Sequence, residues 1–261
     1  LFLKNLYEKH PTRNPIYGYK ESMASITRKD ILEYYNKYYH PNNMIISVVG
    51  NINNPLDKIR KLFNNKRNKE EIKKIIVKEP PNKYNTAKEK RKIMHSYLVL
   101  GYKVPNRSNK EFYTLEVIRG MLGRGQSGKL FDEIRTKRGL AYMVSVIHNS
   151  SLDYGYFAVY VGMDKKNIET VKELILKVLN NLKNITNKDL EDAKTYLEGN
   201  YLLENEDNRK EAINLADWEM IKDYSLAGKY INNIKKITKK DIIKVVEEYL
   251  NDKYTMITIE P

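Results

Sequence analysis

The sequence predicts an α+β protein: an antiparallel sheet with helices packed on one face, built as a duplicated unit whose first copy is only partly present. Three observations predict it. Strand-like runs follow one another directly, and long amphipathic helices are grouped after them. A helix start followed by a β-rich run occurs twice, 211 residues apart. Between the two occurrences lies a charged, proline-containing stretch with the composition of a linker.

Residues 1–64 read as the end of the first copy. Leu1 to Glu8 carry the end of an amphipathic helix, which His10-Pro11-Thr12-Arg13-Asn14-Pro15 breaks into a loop. Thr27 then caps a new helix, with Asp30 three residues on and Ile31, Leu32, Tyr35 and Tyr38 as its apolar face. His40-Pro41-Asn42-Asn43 stops that helix. Met44 to Gly50 predicts a short buried strand, and about Pro55 to Phe63 a further helix. Residues 65–92, with eleven basic against four acidic residues and the pair Pro80-Pro81, form the expected linker.

Residues 93–261 read as a second, complete copy. A strand covers about Ile93 to Tyr102 and a helix about Lys110 to Leu122. The run Gly123-Arg124-Gly125-Gln126-Ser127-Gly128 has two readings. A phosphate-cradling loop should follow a strand and open a longer helix. Here the run follows a helix, which favours a tight helix-to-helix connection. A short helix from Leu130 to Arg138 leads into strands at about Ala141 to Asn149 and Tyr154 to Met163, joined by Ser150-Ser151-Leu152-Asp153. Helices at about 166–182, 187–203, 208–224 and 239–250 precede a closing strand at 254–259.

The repeat is carried by Ile26-Thr27-Arg28-Lys29-Asp30-Ile31 and Ile237-Thr238-Lys239-Lys240-Asp241-Ile242. Ile185-Thr186-Asn187-Lys188-Asp189-Leu190 has the same capping chemistry, so the cap alone is weak evidence. The strand that follows each member of the distant pair makes that match stronger.

Composition narrows function more than it defines it. With 41% hydrophobic and 31% charged residues the chain fits a soluble globular protein, and no apolar run is long enough to span a membrane. The absence of cysteine removes disulfides and thiol chemistry but leaves the compartment open; the cytoplasm is the favoured expectation. The net charge of +14 raises nucleic-acid binding. Half of that excess sits in the expected linker, and no nucleic-acid motif accompanies it, so neither nucleic acid nor membrane is an expected partner. The histidines, His10, His40, His95 and His148, are too far apart in sequence for adjacent helical turns, and a structural or substrate role is expected for each. Trp218, the only tryptophan, is expected to pack a helix interface.

The most specific run is Leu130-Phe131-Asp132-Glu133-Ile134-Arg135-Thr136-Lys137-Arg138-Gly139-Leu140-Ala141-Tyr142, which sets an arginine and a tyrosine seven residues apart across a helix-to-strand junction. It resembles a motif of the insulinase and pitrilysin-type (inverzincin) zinc metallopeptidases. The resemblance extends over nearly the whole chain, through the proline-rich loop to Tyr17-Gly18, the helix and strand from Thr27 to Gly50, and Met121 to Tyr142. It implies paired α+β units, with a His-x-x-Glu-His zinc motif early in the first and the Arg/Tyr pair in the second. No such zinc motif is present here.

The resemblance therefore implies the C-terminal part of a zinc-dependent endopeptidase acting on peptides or unfolded segments. Arg135 and Tyr142 would bind the substrate carbonyl and stabilise charge developing on it; zinc would belong to the full-length enzyme, and this fragment would be inactive alone. Its partners would be a peptide substrate and either a missing N-terminal metal-binding half or a separate subunit. Two alternatives stay open. The chain can be a non-catalytic partner subunit or structural homologue, and the residues can be structural, with Arg135 paired to Asp132 and Tyr142 packed as a half-buried strand residue.

Overall fold

Alternation along the strands sets the architecture of the computed structural model, which describes residues 1–63, 72 and 77–261. The five strands are β1 (Asn85–Lys90), β2 (Ser96–Lys103), β3 (Ala141–Ser150), β4 (Gly155–Met163) and β5 (Thr255–Glu260). They form one sheet in the order β1-β5-β2-β4-β3. Leu98, Leu100 and Tyr102 on β2 and Phe157, Val159, Val161 and Met163 on β4 turn to one face, where all are buried.

That face is covered by helices, as expected for an α+β layer. In chain order the helices are α1 (Phe2–Leu6), α2 (Lys20–Ser25), α3 (Arg28–Tyr38), α4 (Pro55–Leu62), α5 (Glu111–Gly123) and α6 (Lys129–Phe131). They continue with α7 (Ile168–Asn181), α8 (Asn187–Asn205), α9 (Asn208–Ile221), α10 (Tyr230–Lys235) and α11 (Lys239–Tyr249). Leu115, Ile118 and Leu122 of α5, Val171 and Ile175 of α7, Ala193 and Leu197 of α8, and Ile242 and Val245 of α11 complete one continuous core with the sheet. The long helices thus stand where periodicity predicts them, within a few residues at each end.

The sheet differs from expectation in one pairing. β2, β3, β4 and β5 pair antiparallel, whereas β1 runs parallel to β5. β1 lies in the stretch expected to be linker, and residues 65–71 and 73–76 of that stretch fall outside the described residues. Asn85-Thr86-Ala87-Lys88-Glu89-Lys90 is polar because β1 is an edge strand, where exposed lysines discourage further pairing. Its register places Lys88 opposite Thr258, and the Lys88 Nζ reaches Glu260 at 2.7 Å.

A second difference concerns Met44 to Gly50, which forms no strand. Met44, Ile45, Ile46 and Val48 stay 42–46% exposed. The apolar pattern suits a buried strand, but among the described residues no neighbouring strand lies beside it to complete a ladder.

The first residues dock onto the opposite face of the sheet. Phe2 meets Tyr156 edge to face at 6.0 Å, Leu6 and Tyr7 are buried, and the Tyr7 hydroxyl donates to the Gly155 carbonyl at 2.6 Å. The Glu79 carboxylate accepts from the backbone amides of Glu8, Lys9 and His10 at 2.6, 2.9 and 2.8 Å. These bonds hold the Glu79 carboxyl below its ordinary pKa against the opposing effect of burial.

Candidate functional site

The junction between α6 and β3 is built from three local irregularities. After α6 the helix widens over Asp132–Thr136, where the Lys137 amide donates to the Asp132 carbonyl five residues back at 2.9 Å. Gly139 then takes the left-handed conformation, φ +62°, which reverses the chain at little cost because glycine has no Cβ. At the start of β3 the ladder skips from Ala141 opposite Met163 to Met143 opposite Gly162, so Tyr142 is the extra residue of a bulge.

Arg135 stands exposed on the widened turn, its guanidinium carbon 5.1 Å from the centre of the Phe131 ring. It does not pair with Asp132. Lys137 holds Asp132 at 2.8 Å and Glu133 at 2.5 Å, and Arg138 reaches Glu133 at 2.7 Å. Among the described residues Arg135 has no carboxylate partner. Tyr142, in β3, is 54% exposed. Its hydroxyl donates to Asp164 Oδ1 at 2.8 Å, and the hydrogen bond to that carboxylate raises the phenol pKa.

The sequence gives no sign of Asp164 at this junction, and it names His95 only among the scattered histidines. The His95 ring lies 4.7 Å from that of Tyr142, and its Nδ1 is 3.9 Å from Asp164. Neither belongs to a motif with Tyr142; strand register alone brings them to it. The junction therefore offers one uncommitted guanidinium, with five donors in a planar fork, and one exposed phenol.

A separate polar cluster lies along a cavity of about 610 Å³ lined from α5, β3, α8 and α9. Glu116 accepts from His148 Nδ1 at 2.7 Å, Arg119 at 2.9 Å and the Tyr230 hydroxyl at 3.1 Å. Burial pushes the Glu116 carboxyl up, but the bond from His148 and the charge of Arg119 outweigh it and hold the group ionised. Trp218, 1% exposed, packs against Phe112 and Tyr113 in the same helix interface. The glycine run forms the tight link between α5 and α6: a Cβ on Gly128 would come within 2.5 Å of the Leu122 carbonyl.

Among the described residues no three His, Asp or Glu side chains form a set able to hold a metal ion. No two histidines share a carboxylate; His10 meets Asp153, His95 meets Asp164 and His148 meets Glu116. The described residues do not fit zinc. No helix among the described residues is long and apolar enough to cross a membrane.

A family model described as the peptidase M16 inactive domain matches residues 25–197. The chain belongs to the M16 peptidase family. This is the insulinase and pitrilysin-type group of zinc peptidases, and the match is to its non-metal domain. An uncharacterized zinc protease of Bacillus subtilis, YmxG, is 28% identical over 267 residues, covering 100% of this chain and 64% of its own length. A crystal structure of a protease from Helicobacter pylori superposes with a TM-score of 0.93 at 26% identity, covering 100% of this M16 chain and 65% of that one. The M16 inactive domain from Pseudomonas fluorescens shares the fold, with a TM-score of 0.90 at 22% identity over 99% of this chain and 63% of that one. The chain thus spans less than two thirds of the length of these relatives.

Proposed function

We propose that this chain is the C-terminal part of a zinc-dependent endopeptidase that hydrolyses peptides or unfolded segments, and that it is inactive by itself. Residues 1–64 are the remnant of a metal-type unit, 65–92 the connection and 93–261 the non-metal unit, whose sheet also recruits β1. In this reading the zinc ligands lie outside the chain, either upstream in the same polypeptide or on a partner subunit.

The observation that carries the proposal is the uncommitted Arg135 guanidinium on the same junction as the exposed Tyr142 phenol. A peptide carbonyl undergoing attack gathers negative charge on oxygen, and fixed donors aimed at that oxygen stabilise the transition state more than the ground state. Arg135 can donate to it without first breaking an ion pair. Tyr142 holds the adjoining substrate backbone and thereby limits the orientations from which attack proceeds. The exposed apolar residues of α3 and α4, such as Ile31, Leu56 and Leu62, support a missing neighbouring half.

Zinc content and peptide hydrolysis, measured side by side on this chain and on the full-length polypeptide, test the assignment. The expected result is no stoichiometric zinc and no cleavage for this chain, with about one zinc and zinc-dependent cleavage for the full-length form. Zinc-dependent turnover by this chain would overturn the reading. Full-length protein without zinc would point instead to a non-catalytic partner subunit.

A further inference from the structure

Three strand ends meet beside Tyr142. Met163, the last residue of β4, pairs with Ser96 on one side and Ala141 on the other, so the residues flanking these pairs, His95, Asp164 and Tyr142, come together across the sheet. Asp164 occupies the N-cap position of the short turn 165–167, where an aspartate ordinarily accepts from the first amides of the turn. Here its side chain makes no capping bond. The carboxylate instead receives the Tyr142 hydroxyl at 2.8 Å, while the Asp164 carbonyl holds the turn through the Asn167 amide at 3.0 Å. Tyr142, as a bulged and half-exposed residue, has little packing to fix its ring. The His95 ring at 4.7 Å limits it on another side.

From this geometry we infer that Asp164 is a positioning residue for Tyr142, fixing the phenol against His95 so that it meets substrate in one orientation. The inference rests on the reading of Arg135 and Tyr142 given above. A hydrogen bond to a carboxylate is stronger than one between neutral groups and sets direction as well as distance. With the phenolic proton directed to Asp164, the oxygen keeps its two lone pairs for a substrate backbone amide, while Arg135 supplies the donors for the carbonyl. Asp164 itself touches no substrate in this arrangement.

Two measurements on the full-length, zinc-loaded protein test it. The first is a ¹⁹F NMR titration of protein labelled with fluorotyrosine, with the Tyr142 signal assigned by its loss in Tyr142→Phe; this is needed because the chain holds 21 tyrosines. Asp164→Ala is expected to lower the Tyr142 titration midpoint toward that of an ordinary fluorotyrosine. An unchanged midpoint would overturn the proposal whatever the activity. The second is a kinetic cycle. Asp164→Ala is expected to lower kcat/KM about tenfold, Asp164→Asn to restore most of the loss because its carbonyl still accepts, and Asp164→Ala to add nothing in the Tyr142→Phe background. Independent, multiplying losses would overturn the proposal, as would faster turnover in Asp164→Ala, since the contact would then be withholding the phenol. Should the midpoint shift while Tyr142→Phe keeps full turnover, the reading of Tyr142 falls and takes the catalytic part of this inference with it.

Discussion

Charge pairing at single residues explains why Arg135, among several cations on its turn, is the one left free. Lys137 and Arg138 lie within reach of Asp132 and Glu133 and occupy both carboxylates, whereas Arg135 has turned to the Phe131 ring. A cation held by a ring contributes only about 0.5–1 kcal/mol at an exposed site, so breaking this contact costs little. Glu116 shows the opposite case, a charge so well partnered that it serves stability. Its carboxyl is depressed, and so is that of Asp189, to about 2, where burial is opposed by bonds from Lys129 and Thr186. Groups with depressed folded pKa values bind protons more readily when unfolded. Their contribution is present above the ordinary carboxylate pKa of about 4 and is lost as pH falls through the lower folded values. Urea unfolding of the full-length protein is therefore expected to show stability falling from about pH 4 toward pH 2. Glu116→Ala is expected to cost roughly 3–5 kcal/mol at neutral pH, because it strands His148 and Arg119. An unaltered midpoint in that variant would show the cluster to be dispensable. Of these residues, Arg135 and Tyr142 were legible because their motif is continuous in sequence. Asp164 and His95 were not, since only strand register joins them to Tyr142.

Among the elements, legibility followed the strength of local signals. The three starts at Thr27, Thr186 and Thr238 all form reciprocal caps, each threonine amide donating to the aspartate three residues on at 2.8, 2.9 and 2.8 Å. The chemistry that identified helix starts in the sequence is thus the chemistry that holds them. β1 was invisible because its alternation is polar on polar, and an edge strand needs little apolar surface. Met44 to Gly50 was legible as a strand pattern but lacks a partner here. The widened turn and the bulge had no sequence signal; between them Gly139 carries the reversal. A Cβ at Gly139 would meet nothing within 4 Å, so the cost of substitution there is conformational alone. Gly139→Ala is expected to destabilise by about 1–2 kcal/mol and Gly139→Asn by less, since asparagine tolerates the left-handed region. Thermal unfolding of both variants checks this ranking. Equal stability for alanine and glycine would mean that the turn can relax, and Arg135 and Tyr142 would then not be held by it.

Considered as a whole molecule, the chain is unevenly finished. The helices from α5 onward and strands β2 to β5 bury one continuous core, whereas α3 and α4 present Tyr34, Ile31, Leu56 and Leu62 to solvent. Apolar surface of that extent marks a site of further contact. It fits a family whose relatives extend beyond this chain. The docking of α1 on the sheet was not legible, because no short-range pattern announces a contact made 148 residues away by Tyr7 with Gly155. The central claim is that this non-metal unit supplies Arg135 and Tyr142 to an active site completed elsewhere. It is tested most directly by kcat/KM for peptide hydrolysis by full-length protein carrying Arg135→Ala or Tyr142→Phe, with zinc content and thermal stability measured on the same samples. The expected result is a loss of roughly ten- to a thousandfold in each variant, from removing a transition-state donor in Arg135→Ala and a substrate-orienting phenol in Tyr142→Phe, with zinc and stability unchanged. Wild-type turnover in both variants would contradict the claim and leave the junction a structural turn.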